Sequence, residues 1–115
     1  MTDISGGKTK QEKIAIFLAN LNHPDAVYRW GAAEALGRIG DDRVVDALIV
    51  ALKDTDWRVR MKAAWSLGQI GEPRSLPHLM RLMRDENETV QEMARESVTA
   101  IQRQRMRSYT GGAEE

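Results

Sequence analysis

The sequence predicts an all-α fold, a short α-solenoid of about 2.5 to 3 stacked helical hairpins with five or six antiparallel helices. Three observations carry this. A segment recurs at an offset of 31 residues, which places Gly37 and Gly68 in equivalent positions. Apolar residues inside each copy fall at steps of three and four and never alternate, the signature of amphipathic helices rather than strands. Glycine, proline and aspartate punctuate the chain with the same period.

The clearest copies run from Asp25 to Gly40 and from Asp56 to Gly71, with Asp, Arg, Ala-Ala, Leu-Gly and Ile-Gly coincident. A half-repeat precedes them. Ile14, Phe17, Leu18 and Leu21 match Val45, Leu48, Ile49 and Leu52 one period later, which predicts a helix near 10–21. The next helix, near 25–38, starts at Asp25, whose carboxylate can cap free amides and oppose the helix dipole. Gly40 can take the left-handed conformation that closes it, and Asp41 opens a helix near 42–53. Asp56 then starts a helix near 56–69 with Val59, Ala63, Leu67 and Ile70 on one stripe. After Gly71, Glu72 and Pro73 open a helix near 74–84 carrying Leu76, Leu79, Met80 and Met83.

A degenerate third copy keeps Val90, Ala94, Val98 and Ile101 in frame and predicts the last helix near 87–106. Thr99 and Gln102 stand there where Gly68 and Gly71 stood, so nothing halts this helix and it should run on as a polar cap. Residues 1–9 and 108–115 are rich in Gly, Ser, Thr and charge without periodicity; they are expected to be mobile tails around a repeat domain of 10–107. Ala32, Ala33, Ala63 and Ala64 permit close approach of helices, and a glycine inside a helix costs about 1 kcal/mol relative to Ala, so Gly37 and Gly68 point to tight stacking.

Composition narrows the chemistry. The 17 basic residues balance the 17 acidic ones, so no net field draws the chain to nucleic acid, anionic lipid or an acidic substrate. With no cysteine, disulfides, thiolate metal sites and cysteine nucleophiles are excluded. No apolar run reaches the length of a membrane span and the N-terminus lacks the pattern of a secretory signal, which makes a cytoplasmic location the expectation. Phosphate loops, dinucleotide fingerprints and nucleophile constellations do not occur, so catalysis, cofactors and metals find no support.

The run Asp-x-x-Val-Arg-x-x-Ala-Ala-x-x-Leu-Gly-x-Ile-Gly at Asp56 to Gly71, nearly repeated at Asp25 to Gly40, resembles the HEAT-like repeat of the phycobilisome-lyase type over roughly residues 10 to 105. The resemblance implies a HEAT-like solenoid, and the family it points to holds bilin lyases, chaperone-like factors, scaffolds, a di-iron hydroxylase and DNA glycosylases. Hydroxylase members carry His-Glu just before the Ala-Ala pair; the matching places here hold Trp30-Gly31, Met61-Lys62 and Glu92-Met93. The histidines, His23 and His78, stand beside Pro24 and Pro77 without a clustered second ligand.

In such proteins the face of the first helix in each hairpin is commonly the concave, variable surface that meets partners. The candidate contacts on it are Trp30, Glu34, Arg38, Trp57, Arg58, Met61, Lys62, Trp65 and Gln69, since Trp and Arg dominate interface hot spots and Met adapts to irregular partners. Packing between repeats is the competing account of the tryptophans. Asp25 with Arg29, and Asp56 with Arg60, lie four apart and could pair along a helix, with a laddering role between repeats. Arg95, Arg103, Arg105 and Arg107 could meet phosphates, against which stand Glu92, Glu96, the zero net charge and the preference of a helix C-terminus for cations. The leading expectation is a scaffold or adaptor with a protein partner; a lyase-like subunit handling a bilin and a nucleic-acid-binding protein are the alternatives. A stack this short exposes both ends of its core, so weak end-to-end self-association is also expected.

Overall fold

The computed structural model describes residues 7–113. Among them the regular elements are six α-helices and two short 3-10 turns: α1 (Lys10–Asn20), α2 (Ala26–Ile39), α3 (Val45–Ala51), α4 (Trp57–Ile70), α5 (Leu76–Leu82) and α6 (Glu88–Ala113). The 3-10 turns Asp42–Val44 and Pro73–Ser75 lead into α3 and α5, which makes those helices shorter than the spacing of apolar residues suggests. Residues 1–6 of the expected N-terminal tail and the last two residues of the C-terminal one lie outside the described residues.

Local chemistry accounts for the boundaries. Thr9 and Glu12 form a reciprocal capping box that starts α1 at Lys10, so Thr9, at the end of the expected tail, serves as the helix cap. Asp25 and Asp56 cap α2 and α4 by accepting from the backbone N–H of Val27 and Arg58 at 2.9 and 2.8 Å. Gly40 and Gly71, at φ of 75° and 79°, end those helices in the left-handed region. No such residue follows Ile101, and α6 runs through Ala113, beyond residue 107.

Helices α2, α4 and α6 form one layer, with α1, α3 and α5 behind it. Leu36, Val45, Leu48, Val59, Leu67, Leu79, Val90 and Ile101 fill the core between the layers. The apolar frame holds with one exception: Met80 is 52% exposed, and Leu82 is buried in its stead.

Two recurring contacts lock the front layer. Ser66 Oγ donates to the carbonyl of Ala33 and Ser97 Oγ to that of Ala64, at 2.5 and 2.7 Å. The serine backbone then lies so close to the preceding helix that a Cβ on Gly37 would sit 2.7 Å from Ser66 Cα, and one on Gly68 would sit 2.8 Å from Ser97 Oγ. Glycine is therefore required by the close approach of the helices, as its recurrence suggests.

Arginine makes the second contact, with different partners from those four residues away. Arg29 Nε and Nη2 donate to both carboxylate oxygens of Asp54 at 2.9 and 3.1 Å, while its Nη1 donates to the carbonyls of His23 and Pro24. Arg60 repeats this with Asp85 and the carbonyls of Asp54 and Thr55. Each arginine thus staples its own entry loop to the entry loop of the next repeat. The i,i+4 partners drop out because Asp25 and Asp56 are turned to their caps.

Candidate partner-binding face

The outward side of α2, α4 and α6 carries the residues singled out from the sequence. At 100° per residue, Glu34 and Arg38 on α2, Lys62, Trp65 and Gln69 on α4, and Met93 on α6 line the side turned away from α1, α3 and α5. Glu34, Arg38, Met61, Lys62, Trp65 and Met93 surround a groove of about 300 Å³.

Glu34 is the electrostatic hub of this groove. Its carboxylate accepts from Lys62 Nζ at 2.6 Å across the repeat boundary and from Arg38 Nη2 at 3.0 Å along α2. Hydrogen bonds from Lys62 first and Arg38 second hold the Glu34 carboxyl below the ordinary carboxylate range. Both cations also cap an indole: Lys62 Nζ lies 5.6 Å from the Trp30 ring centroid and Arg38 Cζ lies 5.7 Å from that of Trp65. The result is a row, Trp30, Lys62, Glu34, Arg38, Trp65, in which each member positions the next.

The nine candidates separate into three groups. Glu34, Arg38, Met61, Lys62 and Trp65 come together in the groove. Trp30 sits at its edge with its ring packed against the core; its Nε1 is buried without a hydrogen-bond partner among the described residues. Trp57, Arg58 and Gln69 do not line the groove. Trp57 opens α4 and is 38% exposed, Arg58 folds back onto Asp56 at 2.9 Å, and Gln69 is exposed near the end of α4.

Met93 was missed, although adding the 31-residue period to Lys62 leads to it. Asp54 and Asp85 were missed too; they recur at the same period but lie in loops, outside the helical stripes. His23 occupies the place of Asp54 one period earlier, and its Nδ1 accepts from the Asp25 backbone N–H at 2.9 Å while its ring lies 4.3 Å from that of Tyr28. His78 is engaged with Arg81. Among the described residues no three His, Asp or Glu side chains converge in a way that could hold a metal ion, and no helix is long and apolar enough to cross a membrane.

Residues 14–99 match the family of HEAT repeats. Among solved structures, human deoxyhypusine hydroxylase superposes with a TM-score of 0.77 at 27% identity, covering 83% of this chain and 34% of its own. The complex of CpcE and CpcF of phycocyanin lyase from Nostoc sp. PCC7120 gives a TM-score of 0.72 at 28% identity, covering 88% of this chain and 40% of the other. The chain therefore spans little more than a third of the length of the solved chains it matches. No curated protein matches the sequence.

Proposed function

The chain belongs to the HEAT-repeat family, and on that premise we propose that it works as a non-catalytic protein-binding module, a scaffold or adaptor, whose partner docks on the outward side of α2, α4 and α6. The groove bounded by Glu34, Arg38, Met61, Lys62, Trp65 and Met93 is the observation that carries this reading. It combines two polarizable methionines and an indole with a fixed set of charges, the mixture of apolar anchor site and oriented polar rim that protein interfaces use. Trp57, outside the groove, extends the exposed apolar area along α4.

Affinity capture from the native extract, followed by mass measurement and reconstitution with the purified partner, tests this with Trp57→Ala/Trp65→Ala beside the wild type. A defined partner that binds the wild type and binds the folded variant at least about tenfold more weakly, a loss of about 1.4 kcal/mol, supports the face. Equal affinity of both for the reconstituted partner would refute it.

The likeness to phycocyanin lyase favours a second reading, a lyase-like subunit that handles a bilin. It predicts a change in visible absorbance when the protein is mixed with bilin, and an unchanged spectrum would remove it.

A further inference from the structure

The two ends of the stack are finished differently. Within the front layer, Ser66 and Ser97 stand on the side of their helix that faces the preceding one, and Gly37 and Gly68 on the side that faces the following one. At the last end the free side of α6 is polar, with Glu92, Arg95, Glu96, Thr99 and Arg103 around one depression. At the first end Ala35 holds the place of the serines, and Tyr28, Gly31 and Ile39 lie within about 40° of it around the helix axis. This strip of α2 contains no charge; Arg38, on its outward flank, is paired with Glu34.

The chain itself leaves two of these residues unused. Tyr28 touches the His23 ring on one side yet is 55% exposed, whereas Val59 and Val90, one and two periods later, are fully buried. Gly31 sits inside α2, where glycine weakens a helix, although a Cβ there would meet no atom within 4 Å among the described residues. Gly37 and Gly68 are held to glycine because another helix comes too close for a methyl group. Gly31 carries the same adaptation on the opposite side of α2. The strip is thus one half of the interface that joins α2 to α4 and α4 to α6.

We propose that this strip docks on the same strip of a second copy, the two α2 helices packing antiparallel about a two-fold axis. An occupant that continues the repeat interface must be apolar and small at its centre. The last end of the chain does not qualify, since Arg95 and Thr99 stand there in the places of Ala64 and Gly68. The strip qualifies, and it is complementary to itself: the bulky Tyr28 and Ile39 lie at its ends and Gly31 and Ala35 between them. Run antiparallel, Tyr28 meets Ile39 of the second copy and Gly31 meets its Ala35, so large side chains face each other at the rims and the helices close at the middle. Such an isologous contact stops at two copies. Its axis runs from the front layer to the back, so both partner-binding faces stay on one side and the dimer presents two grooves at once.

Light scattering on the full chain from about 1 µM to about 1 mM tests this, the range in which a small interface associates. The wild type, 13.0 kDa as a monomer, rises to twice that mass and stops there. Gly31→Glu, whose side chain has room within one copy, keeps the helical spectrum and weakens the dimer at least about 100-fold by placing two carboxylates in the contact. Thr99→Glu, at the other end, leaves the dimer unchanged. The chain has no cysteine, so Tyr28→Cys/Ile39→Cys reports the register. These positions lie about 16 Å apart along one helix and cannot bridge within a copy, so oxidation at the highest concentration joins two copies covalently. A monomer mass throughout, which would leave the strip to residues 1–6 or to another protein, overturns the proposal. So does a mass that grows past two copies, a Gly31→Glu chain that dimerises like the wild type, loss of the dimer in Thr99→Glu, or failure of the cysteines to join two copies.

Discussion

Arg29 and Asp54, 25 residues apart in sequence, meet through two parallel hydrogen bonds at 2.9 and 3.1 Å, and Arg60 meets Asp85 in the same way one repeat later. Both pairs lie largely out of solvent, with side-chain exposures of 11 and 10% for Arg60 and Asp85. Removing one partner therefore strands a desolvated charge with only the loop carbonyls and, for Arg60, the exposed Glu86 carboxylate at 4.0 Å to satisfy it. Asp85→Ala is expected to lower stability by about 3 kcal/mol, as measured by urea unfolding, and Asp54→Ala by a similar amount. A loss under about 1 kcal/mol in both, the size of a surface pair, would mean the staples do not hold the repeats together.

Gly68→Ala sets two effects against each other. Alanine gains about 1 kcal/mol in helix propensity, yet its methyl would lie 2.8 Å from Ser97 Oγ and 3.1 Å from Ser97 Cα, and overpacking of this kind costs about 1–3 kcal/mol. A net loss of stability is expected, larger for Gly37→Ala, where Ser66 Cα lies at 2.7 Å. Adding Ser97→Gly to Gly68→Ala should recover part of the melting temperature; an equal rise from Ser97→Gly in the wild-type background would speak against steric conflict.

The stack was legible in the sequence because its determinants are periodic and local. Caps at Asp25 and Asp56, left-handed glycines at Gly40 and Gly71, and the close-packed Gly37 and Gly68 all recur within the helical frame. The arginine partners were not legible, because a four-residue spacing is satisfied on paper by Asp25 and Arg29 while the actual acceptor arrives from the next loop. The groove was half legible. Residues of α2 and α4 announced themselves by repetition, whereas Met93 lies in the degenerate copy, where Ala94 remains but the second alanine and both glycines have given way to Arg95, Thr99 and Gln102.

Trp30 and Trp57 share a helix face in the sequence and separate in the structure. Lys62 covers Trp30 and its indole N–H is buried without a partner among the described residues, so Trp30→Phe removes an unsatisfied donor and is expected to change stability by less than about 1 kcal/mol. Trp30→Ala, which leaves a cavity against the core, should cost about 3 kcal/mol. Trp57→Ala should stay close to wild type in thermal unfolding. If the order is reversed, Trp57 is the packing residue and the partner face needs redrawing.

Acid should weaken the cap of α4. The Arg58 side chain, hydrogen-bonded to Asp56, lowers its carboxyl from the ordinary 3.8 to about 2, with the backbone N–H of Arg58 acting in the same direction. A depressed folded value stabilises the native state fully above the unfolded pKa and loses that contribution as pH falls through the folded one, so the window is about pH 4 to pH 2. Asp56→Asn keeps a side-chain acceptor for the cap but does not titrate, and its melting temperature should fall less steeply across that window. Parallel curves for the two proteins would assign the acid limb to other carboxylates.

Neither end of the stack carries the half-contact that its neighbour would need. At the first, His23 stands where Asp54 and Asp85 receive an arginine, and Ala35 stands where Ser66 and Ser97 supply a hydroxyl. At the last, Gln91 replaces the stapling arginine and turns back to the Asp85 carbonyl, while Arg95 and Thr99 fill the places of Ala64 and Gly68. Supplying all the missing halves, with His23→Asp, Ala35→Ser, Gln91→Arg, Arg95→Ala and Thr99→Gly, should let one copy stack on the next as α4 stacks on α2. Such a head-to-tail contact does not close and therefore grows with concentration. Light scattering should report a rising mass for the repaired chain at concentrations where the wild type keeps a lower one, and Arg95→Ala/Thr99→Gly alone should give a smaller increase. If the repaired chain and the wild type have equal mass throughout, the serine, glycine and arginine contacts are insufficient to define the repeat interface.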